Sequence, residues 1–195
     1  MATLWQVDWI DGDDTLRAFE PTDEEIAAAA PALARAYGDS HNSRMMGQAP
    51  GAFEPADVIV HMQQVRASGG HPFVLQRNGT LAGDADFRNL SGDHGEIAIL
   101  IADTAAQGRG LGTRFGWMLH AYAFQVLRLE RVYAAVIPEN RGSRRLFEKL
   151  GYTQDDSDVA RRYADEPSDL TLSLGRAEFE TAWRAGMFDV RLARR

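Results

Sequence analysis

A glycine-rich loop between an apolar run and an amphipathic helix limits what this chain can fold into more than any other feature. Residues 107–112 read Gln-Gly-Arg-Gly-Leu-Gly and follow the apolar run at residues 97–102. After the loop, apolar side chains recur at helical spacing, which predicts a helix over about residues 110–129. Glycines at a helix start let backbone N–H groups converge on an anion, because the first-turn donors lack partners and the dipole is positive there. This order of elements predicts an α/β fold that binds a phosphorylated ligand.

Two common nucleotide-binding loops do not fit this sequence. A Walker loop ends in Gly-Lys-Ser/Thr, whereas Gly112 is followed by Thr113 and Arg114. A dinucleotide fingerprint needs G-x-G-x-x-G, but the glycines here are spaced by two, and Thr113 stands where the third glycine should be. The motifs therefore favour a phosphorylated ligand of another kind.

The composition fits one domain, residues 1–195, because 45% of the 195 residues are apolar. The sequence has no run of about eighteen uncharged apolar residues and no secretory signal pattern, so we expect a cytoplasmic protein without a membrane span. The absence of cysteine excludes disulfides and thiolate nucleophiles. The net charge of −7 disfavours a nucleic-acid partner and mildly favours cationic ligands, although an acidic surface that only keeps the protein soluble is the alternative.

Strand and helix patterns surround the loop on both sides. Thr22 and Glu25 form a capping-box pattern, and Asn78-Gly79 between apolar runs predicts a tight hairpin turn. The predicted strands lie at residues 4–10, 16–19, 72–76, 80–90, 95–101, 131–136 and 169–174, and the predicted helices at 23–37, 55–68, 110–129, 143–152 and 176–185. We expect the last helix to dock on the sheet or on a second subunit of a homodimer, and the arginines at 191, 194 and 195 to form a solvated tail.

Five residues are candidates for lining a ligand-binding site away from the glycine loop. The irregular connection over residues 38–55 contains Met45, Met46 and Phe53, and apolar loops of this kind often line binding sites. Flexible core packing by methionine is the alternative. Asp84 and Asp86 share one face of their strand and could serve metal or general-base chemistry. No histidine or third acid stands at ligand spacing, so we expect no metal there.

Glu96 stands at the start of the apolar strand that leads into the loop. A carboxylate at this position is either exposed and solvated, or it faces a cleft above the sheet and accepts a proton from a substrate. Both interpretations stay open on the residues alone.

Two motifs resemble those of one enzyme family, the GCN5-related N-acetyltransferases (GNAT). The loop resembles the family's pyrophosphate-binding signature Q/R-x-x-G-x-G/A, through Gln107, Gly110 and Gly112. The segment from Asn140 to Tyr152 resembles the family pattern N-x-x-S/A-x-x-L-[YF]-E-K-x-G-[FY]. The resemblance covers roughly residues 16–174 and is nearest to the branch of ribosomal-protein N-terminal and spermidine acetyltransferases.

The resemblance implies a mixed, mostly antiparallel sheet flanked by helices, in which the fourth and fifth strands splay to admit acetyl-CoA. It implies cofactor contacts from the strand residues Ile99, Leu100 and Ile101, from the loop residues Gln107, Gly108, Arg109, Gly110, Leu111, Gly112 and Thr113, and from Asn140 and Ser143. Many members use a tyrosine to protonate the leaving thiolate, and here Phe147 occupies that position. Ser143 is then the candidate acid, although it is equally a first-turn helix residue that satisfies backbone groups.

We therefore predict direct transfer of an acetyl group from acetyl-CoA to a primary amine, without a covalent enzyme intermediate. Glu96 is the candidate base, and Met45, Met46, Phe53, Asp84 and Asp86 are the candidate acceptor-binding residues. The acceptor is a small molecule or a protein N-terminus: a polyamine, an aminoglycoside, an amino acid and a peptide are all open. The alternative is a weakly active acyl-CoA-binding sensor or structural module of the same fold.

Overall fold

One sheet of nine strands runs through residues 3–48, 51, 53–186 and 189–195, which are the residues that the computed structural model describes. The strands are β1 (Trp5–Asp11), β2 (Asp14–Phe19), β3 (His71–Arg77), β4 (Thr80–Ser91), β5 (His94–Ile101), β6 (Arg131–Val136), β7 (Thr153–Gln154), β8 (Leu170–Gly175) and β9 (Val190–Arg194). The α-helices are α1 (Asp23–Gly38), α2 (Ser40–Met45), α3 (Pro55–Ala67), α4 (Leu111–Gln125), α5 (Arg141–Leu150) and α6 (Arg176–Gly186). The spatial order is β7-β8-β6-β5-β4-β3-β2-β1-β9, and only β5 and β6 pair in parallel. The predicted mixed, mostly antiparallel sheet is confirmed.

The two faces of the sheet carry different helices. Phe73 and Leu75 of β3 pack in one core with α4, whereas Val74 between them packs with α1 and α3. Successive side chains of a strand point to opposite faces, so α4 covers one face and the α1–α3 pair covers the other. The apolar stripe predicted for α4 is confirmed by the burial of Leu111, Phe115, Met118, Leu119 and Tyr122. None of the helices in the described ranges is long and apolar enough to cross a membrane.

β5 and β6 separate soon after they meet. They pair only at His94–Arg131, Gly95–Val132 and Glu96–Tyr133. Beyond Glu96, β5 continues to pair with β4, and β6 continues with β8. The sheet therefore opens into a V between its two parallel strands. The resemblance implied such a gap between the fourth and fifth strands, which are β5 and β6 here because β1 precedes them.

Local turn and cap predictions match the structure. Thr22 and Glu25 form both hydrogen bonds of a capping box, at 3.2 and 2.7 Å. Asn78 and Gly79 have φ of 52° and 74°, which are the left-handed conformations that a tight hairpin turn needs.

Two predictions about irregular segments are wrong. The connection after α1 contains the helix α2, whose first N–H groups bond to the Asp39 carboxylate; six residues are too few to show a periodic pattern. The arginine-rich C-terminal segment is not a solvated tail, because it forms β9 on the free edge of β1. Arg195 bonds to the Glu25 carboxylate at 2.5 Å and lies over the Phe19 ring. Pairing between residues so far apart in sequence leaves no local signal.

Candidate active site

The glycine loop presents backbone donors to open space. Gly108 and Gly110 have φ of +72° and +84°, a conformation that favours glycine, and a Cβ added to either would meet no atom within 4 Å. Gly110 is the N-cap of α4 and provides no side-chain cap. Apart from any bonds within α4, the backbone N–H groups of residues 108–113 donate to no backbone carbonyl in the described ranges. Such a loop fits the pyrophosphate of acetyl-CoA, because anions bind at helix N-termini with unpaired donors.

The side chain of Gln107 supports the loop from beneath. Its amide nitrogen donates to the Ile101 carbonyl and to the Asn42 side-chain oxygen, each at 2.9 Å. Asn42 is buried on α2 and donates to the Ala36 carbonyl. Gln107 therefore connects the loop to the end of β5 and to α2.

Gly112 and Gly116 allow α5 to approach α4 closely. A Cβ on Gly112 would lie 2.6 Å from Leu146, and one on Gly116 would lie 2.5 Å from Leu150. Of the other loop residues, Leu111 is buried in the core, Arg109 is exposed and Thr113 is half-buried. The three strand residues Ile99, Leu100 and Ile101 lie beyond the point where β5 leaves β6, as a pantetheine-binding edge requires.

Asn140 begins α5 and ties it to α2. Its side-chain oxygen accepts from the Ser143 N–H at 2.9 Å, and its side-chain nitrogen donates to the Met45 carbonyl at 2.7 Å. Ser143 thus lies in the first turn of α5, where it is half-buried. Its role as an acid and the role of Asn140 as a cofactor ligand stay predictions. Phe147 is buried against Tyr152, with ring centroids 4.9 Å apart.

A row of charged side chains lies on the sheet face that α1 and α3 cover. Asp84, Asp86 and Arg88 alternate along β4 with Ala85 and Phe87, which belong to the core on the α4 side. Arg88 is opposite Glu96 in the pairing of β4 with β5, so all four charged groups share one face. The predicted shared face of Asp84 and Asp86 is thereby confirmed.

Glu96 is only 1% exposed, and both of its oxygens accept hydrogen bonds. Arg88 donates to one at 2.8 Å, and Asn89 donates to the other at 2.7 Å. Burial raises the pKa of the Glu96 carboxyl, although the Arg88 guanidinium opposes that shift. Glu96 is therefore neither exposed nor solvated, and its role as a base stays a prediction.

Asp84 and Asp86 are 3% and 5% exposed, and each has one oxygen without a hydrogen-bond partner. The Tyr37 hydroxyl donates to the other oxygen of Asp84 at 2.5 Å. His61 Nε2 lies 3.4 Å from the other oxygen of Asp86. Burial raises the pKa of the Asp84 carboxyl to about 7, despite the hydrogen bond from Tyr37. The hydrogen bond to Asp86 raises the pKa of His61.

The three apolar candidates of the connection lie in two places. Phe53 packs on the Tyr37 ring, with centroids 5.6 Å apart, and so reaches the charged row through Tyr37. Met45 and Met46 lie at the end of α2, where the Met45 carbonyl contacts Asn140 rather than the row. Among the described residues, no three His, Asp or Glu side chains are grouped so that they could hold a metal.

Four residues of the site escaped the sequence analysis. Arg88 follows Asp86 by two residues, and side chains two apart on a strand share one face, so this spacing could have identified Arg88. Tyr37 and His61 lie on distant helices and have no such signal. Tyr133 stacks on Tyr163 at 4.4 Å, beside Glu96 at the point where the sheet opens.

Solved structures of acetyltransferases share this fold. Mycobacterium smegmatis RimJ in complex with CoA-disulfide superposes with a TM-score of 0.72, at 19% identity over 94% of this chain and 95% of that one. The aminoglycoside acetyltransferase AAC(6')-Ib in complex with coenzyme A and kanamycin has a TM-score of 0.66, at 20% identity over 87% of this chain and 98% of that one. Both neighbours were crystallised with forms of coenzyme A.

Sequence comparisons agree with the fold. The mouse alpha/beta-tubulin-N-acetyltransferase 9 is 33% identical over 89 residues, which are 46% of this chain and 34% of that protein. The chain spans about a third of the length of the curated relatives that it matches. The model of the acetyltransferase (GNAT) domain matches residues 15–153. With the motifs, the open strand pair and the donor-lined loop in place, this match shows that the chain belongs to the GNAT acetyltransferase family.

Proposed function

We propose that this protein transfers an acetyl group from acetyl-CoA to a primary amine that carries positive charge. The observation that carries the proposal is the glycine loop, whose unpaired N–H groups at residues 108–113 stand at the end of a strand that has left its neighbour. Acetyl-CoA supplies the activated acetyl thioester, and the loop and the free edge of β5 hold its pyrophosphate and its pantetheine arm.

The charged row supports a cationic acceptor. Three buried carboxylates, those of Asp84, Asp86 and Glu96, lie on one sheet face with the single guanidinium of Arg88. If ionised, these groups carry an excess of negative charge that stabilises an ammonium group in a site of low dielectric constant. The kanamycin complex of AAC(6')-Ib supports an aminoglycoside-like acceptor, and the similarity to the mouse alpha/beta-tubulin-N-acetyltransferase 9 supports a protein acceptor. Both classes present a primary amine.

A second function, acyl-CoA binding without turnover, uses the same loop. Release of free CoA separates the two functions, because a binding module releases none beyond hydrolysis. The test follows CoA release from acetyl-CoA with kanamycin, spermidine, a peptide with a free N-terminus and glutamate as acceptors. We expect turnover with at least one of the cationic amines and less with glutamate. CoA binding without release for any amine would establish the binding module instead.

The loop assignment has its own test. Gly110→Val places a side chain where phosphate oxygens approach the backbone, so we expect the Kd for CoA to rise at least about tenfold, or about 1.4 kcal/mol. Gly12→Val is the matched control, since Gly12 also has a positive φ of +61° and open space around it, but lies in the β1–β2 turn. Equal Kd values for the two variants in calorimetry would show that the loop does not hold CoA.

A further inference from the structure

Asp84 has the features of a proton acceptor that is held ready for use. Its carboxylate is 3% exposed, Tyr37 bonds to Oδ2, and Oδ1 has no hydrogen-bond partner. Buried polar atoms in proteins are nearly always paired, so an unpaired carboxylate oxygen indicates a ligand or a reaction. Glu96 differs, because both of its oxygens already accept hydrogen bonds from Arg88 and Asn89.

The backbone holds Asp84 one strand away from the open edge of β5, on the strand that pairs with the other edge. Asp84 is opposite Leu100 in the pairing of β4 with β5, beyond the point where β6 leaves. A bulge precedes it, since Leu75 pairs with Gly83 but Gln76 pairs with Leu81. Gly83 allows a close approach there, because a Cβ would lie 1.9 Å from the Leu100 carbonyl oxygen. Bulges next to active sites redirect side chains, and this one immediately precedes the carboxylate.

We propose that Asp84, positioned by Tyr37, is the base that takes the proton from the acceptor ammonium. The inference rests on the proposed function and assigns its proton-transfer step. Tyr37 fixes Oδ2 and so leaves Oδ1 as the accepting atom. Asp86 lies two residues along the same face, and its Oδ1, which accepts no hydrogen bond and lies 3.9 Å from Arg88 Nη1, holds the positive charge of the acceptor.

The acceptor ammonium gives one proton to Asp84 Oδ1 and becomes a neutral amine. The nitrogen then forms a C–N bond to the acetyl carbon while the C–S bond breaks, and the electron pair leaves with the sulfur. The nitrogen loses a second proton, and the thiolate gains one proton to become CoA-SH, so these two changes cancel. Asp84 returns the first proton to solvent. The net products are the acetamide, CoA-SH and one proton.

The charged and titratable groups around Asp84 support this assignment. Tyr37 faces it from α1, His61 from α3, and Asp86 and Arg88 from the same strand, while Glu96 lies on β5. Burial, with a smaller contribution from the Asp86 charge, raises the pKa of Asp84 to about 7. A base works best when its pKa is near the operating pH, because it is then both ionised and basic enough to take the proton.

Carbon-13 NMR of protein labelled at the aspartate side-chain carboxyl tests the inference without turnover. We expect one resonance to titrate near pH 7 and to be missing in Asp84→Asn. Glu24→Gln, an acid-to-amide change at an exposed position of α1, should leave that resonance in place. A midpoint for Asp84 near its ordinary value of about 4 would overturn the inference, whatever amine is turned over.

Turnover gives the second test, with the best amine of the acceptor panel. In the wild type, we expect kcat/KM to rise with pH around pH 7, as Asp84 ionises. In Asp84→Asn, we expect kcat/KM to be about 10² to 10⁴-fold lower at pH 7 and this rise to be absent. Glu96→Gln should keep that rise, and Tyr37→Phe should move it to higher pH. Loss of the rise in Glu96→Gln, or its persistence in Asp84→Asn, would overturn the inference. Failure of every amine while CoA still binds would refute the proposed function and the inference with it, whereas turnover of an amine together with an Asp84 midpoint near pH 4 would overturn the inference alone.

Discussion

Asp84 and Glu96 are buried carboxylates on neighbouring strands of one sheet face, yet their surroundings differ. Glu96 has a guanidinium and an amide on its two oxygens, whereas Asp84 has one hydroxyl on one oxygen. A buried carboxylate with a hydrogen bond on each oxygen is costly to deprive of a partner. A carboxylate that lacks a partner lowers the stability of the folded state and gains from a ligand. Burial alone therefore does not identify a catalytic acid or base, but incomplete pairing separates the two.

The largest effect should come from removing the partner of Glu96. Arg88→Met leaves the Glu96 carboxylate buried with only Asn89, so we expect the free energy of unfolding to fall by about 3–5 kcal/mol at pH 8. Urea titration measures this loss. Arg77→Met is the control, because Arg77 pairs with Asp14 at the surface and such pairs contribute about 0–1 kcal/mol. Similar losses for both variants would mean that Glu96 needs no partner.

Asp84→Asn should raise the free energy of unfolding, whereas Arg88→Met should lower it. The pKa of Asp84 is raised from 3.8 to about 7 in the folded protein, so stability is lost as the pH rises from about 4 through 7. The variant removes that loss, and we expect it to be more stable than the wild type by about 2–4 kcal/mol at pH 8 and by little below pH 4. Urea titrations at several pH values measure the difference. A variant that is less stable at pH 8 would show that Asp84 is as well satisfied as Glu96.

A third buried group, His120, extends the comparison to a site away from the chemistry. Its Nδ1 donates to the Gly116 carbonyl at 2.7 Å, and its Nε2 accepts from the Tyr152 hydroxyl at 2.6 Å. Burial lowers the pKa of His120 to about 4, so stability is present above about pH 6.5 and is lost as the pH falls toward 4. Tyr152→Phe leaves Nε2 unpaired and should cost about 1–3 kcal/mol at pH 8. An unchanged urea midpoint would contradict the view that this bond matters.

The smallest effect should come from Tyr37→Phe, which removes the hydroxyl that donates to Asp84 Oδ2. That hydrogen bond lowers the pKa of Asp84, so its loss should raise the pKa of Asp84 and should change the free energy of unfolding by about 1 kcal/mol. The carboxyl NMR titration measures the shift. The ring keeps its contact with Phe53, so the fold should be unaffected. A midpoint at lower pH in Tyr37→Phe would contradict this prediction, because losing a hydrogen-bond donor on Oδ2 should raise the pKa of Asp84.

The sequence was informative where the signal was local. The glycine loop, the α4 stripe and the Asn78-Gly79 turn each depend on a few neighbouring residues, and they predicted the elements around the cofactor site. The charged row on β4 and β5 depends on long-range packing. Tyr37 reaches Asp84 across 47 residues, and the pairing of Glu96 with Arg88 depends on the register of two strands. No local pattern distinguishes a satisfied carboxylate from an unsatisfied one, so Glu96 was a reasonable candidate for the base on sequence alone.

The short helix α2 has a consequence for engineering this protein. Asn42 joins it to Gln107 of the glycine loop, and the Met45 carbonyl joins its end to Asn140 of α5. Met45 and Met46 therefore lie at the end of a helix that contacts both the glycine loop and α5. Within the part of the chain that the structure describes, His61 and Phe53 have no such bond to the loop, so libraries aimed at new acceptors should begin with those two positions.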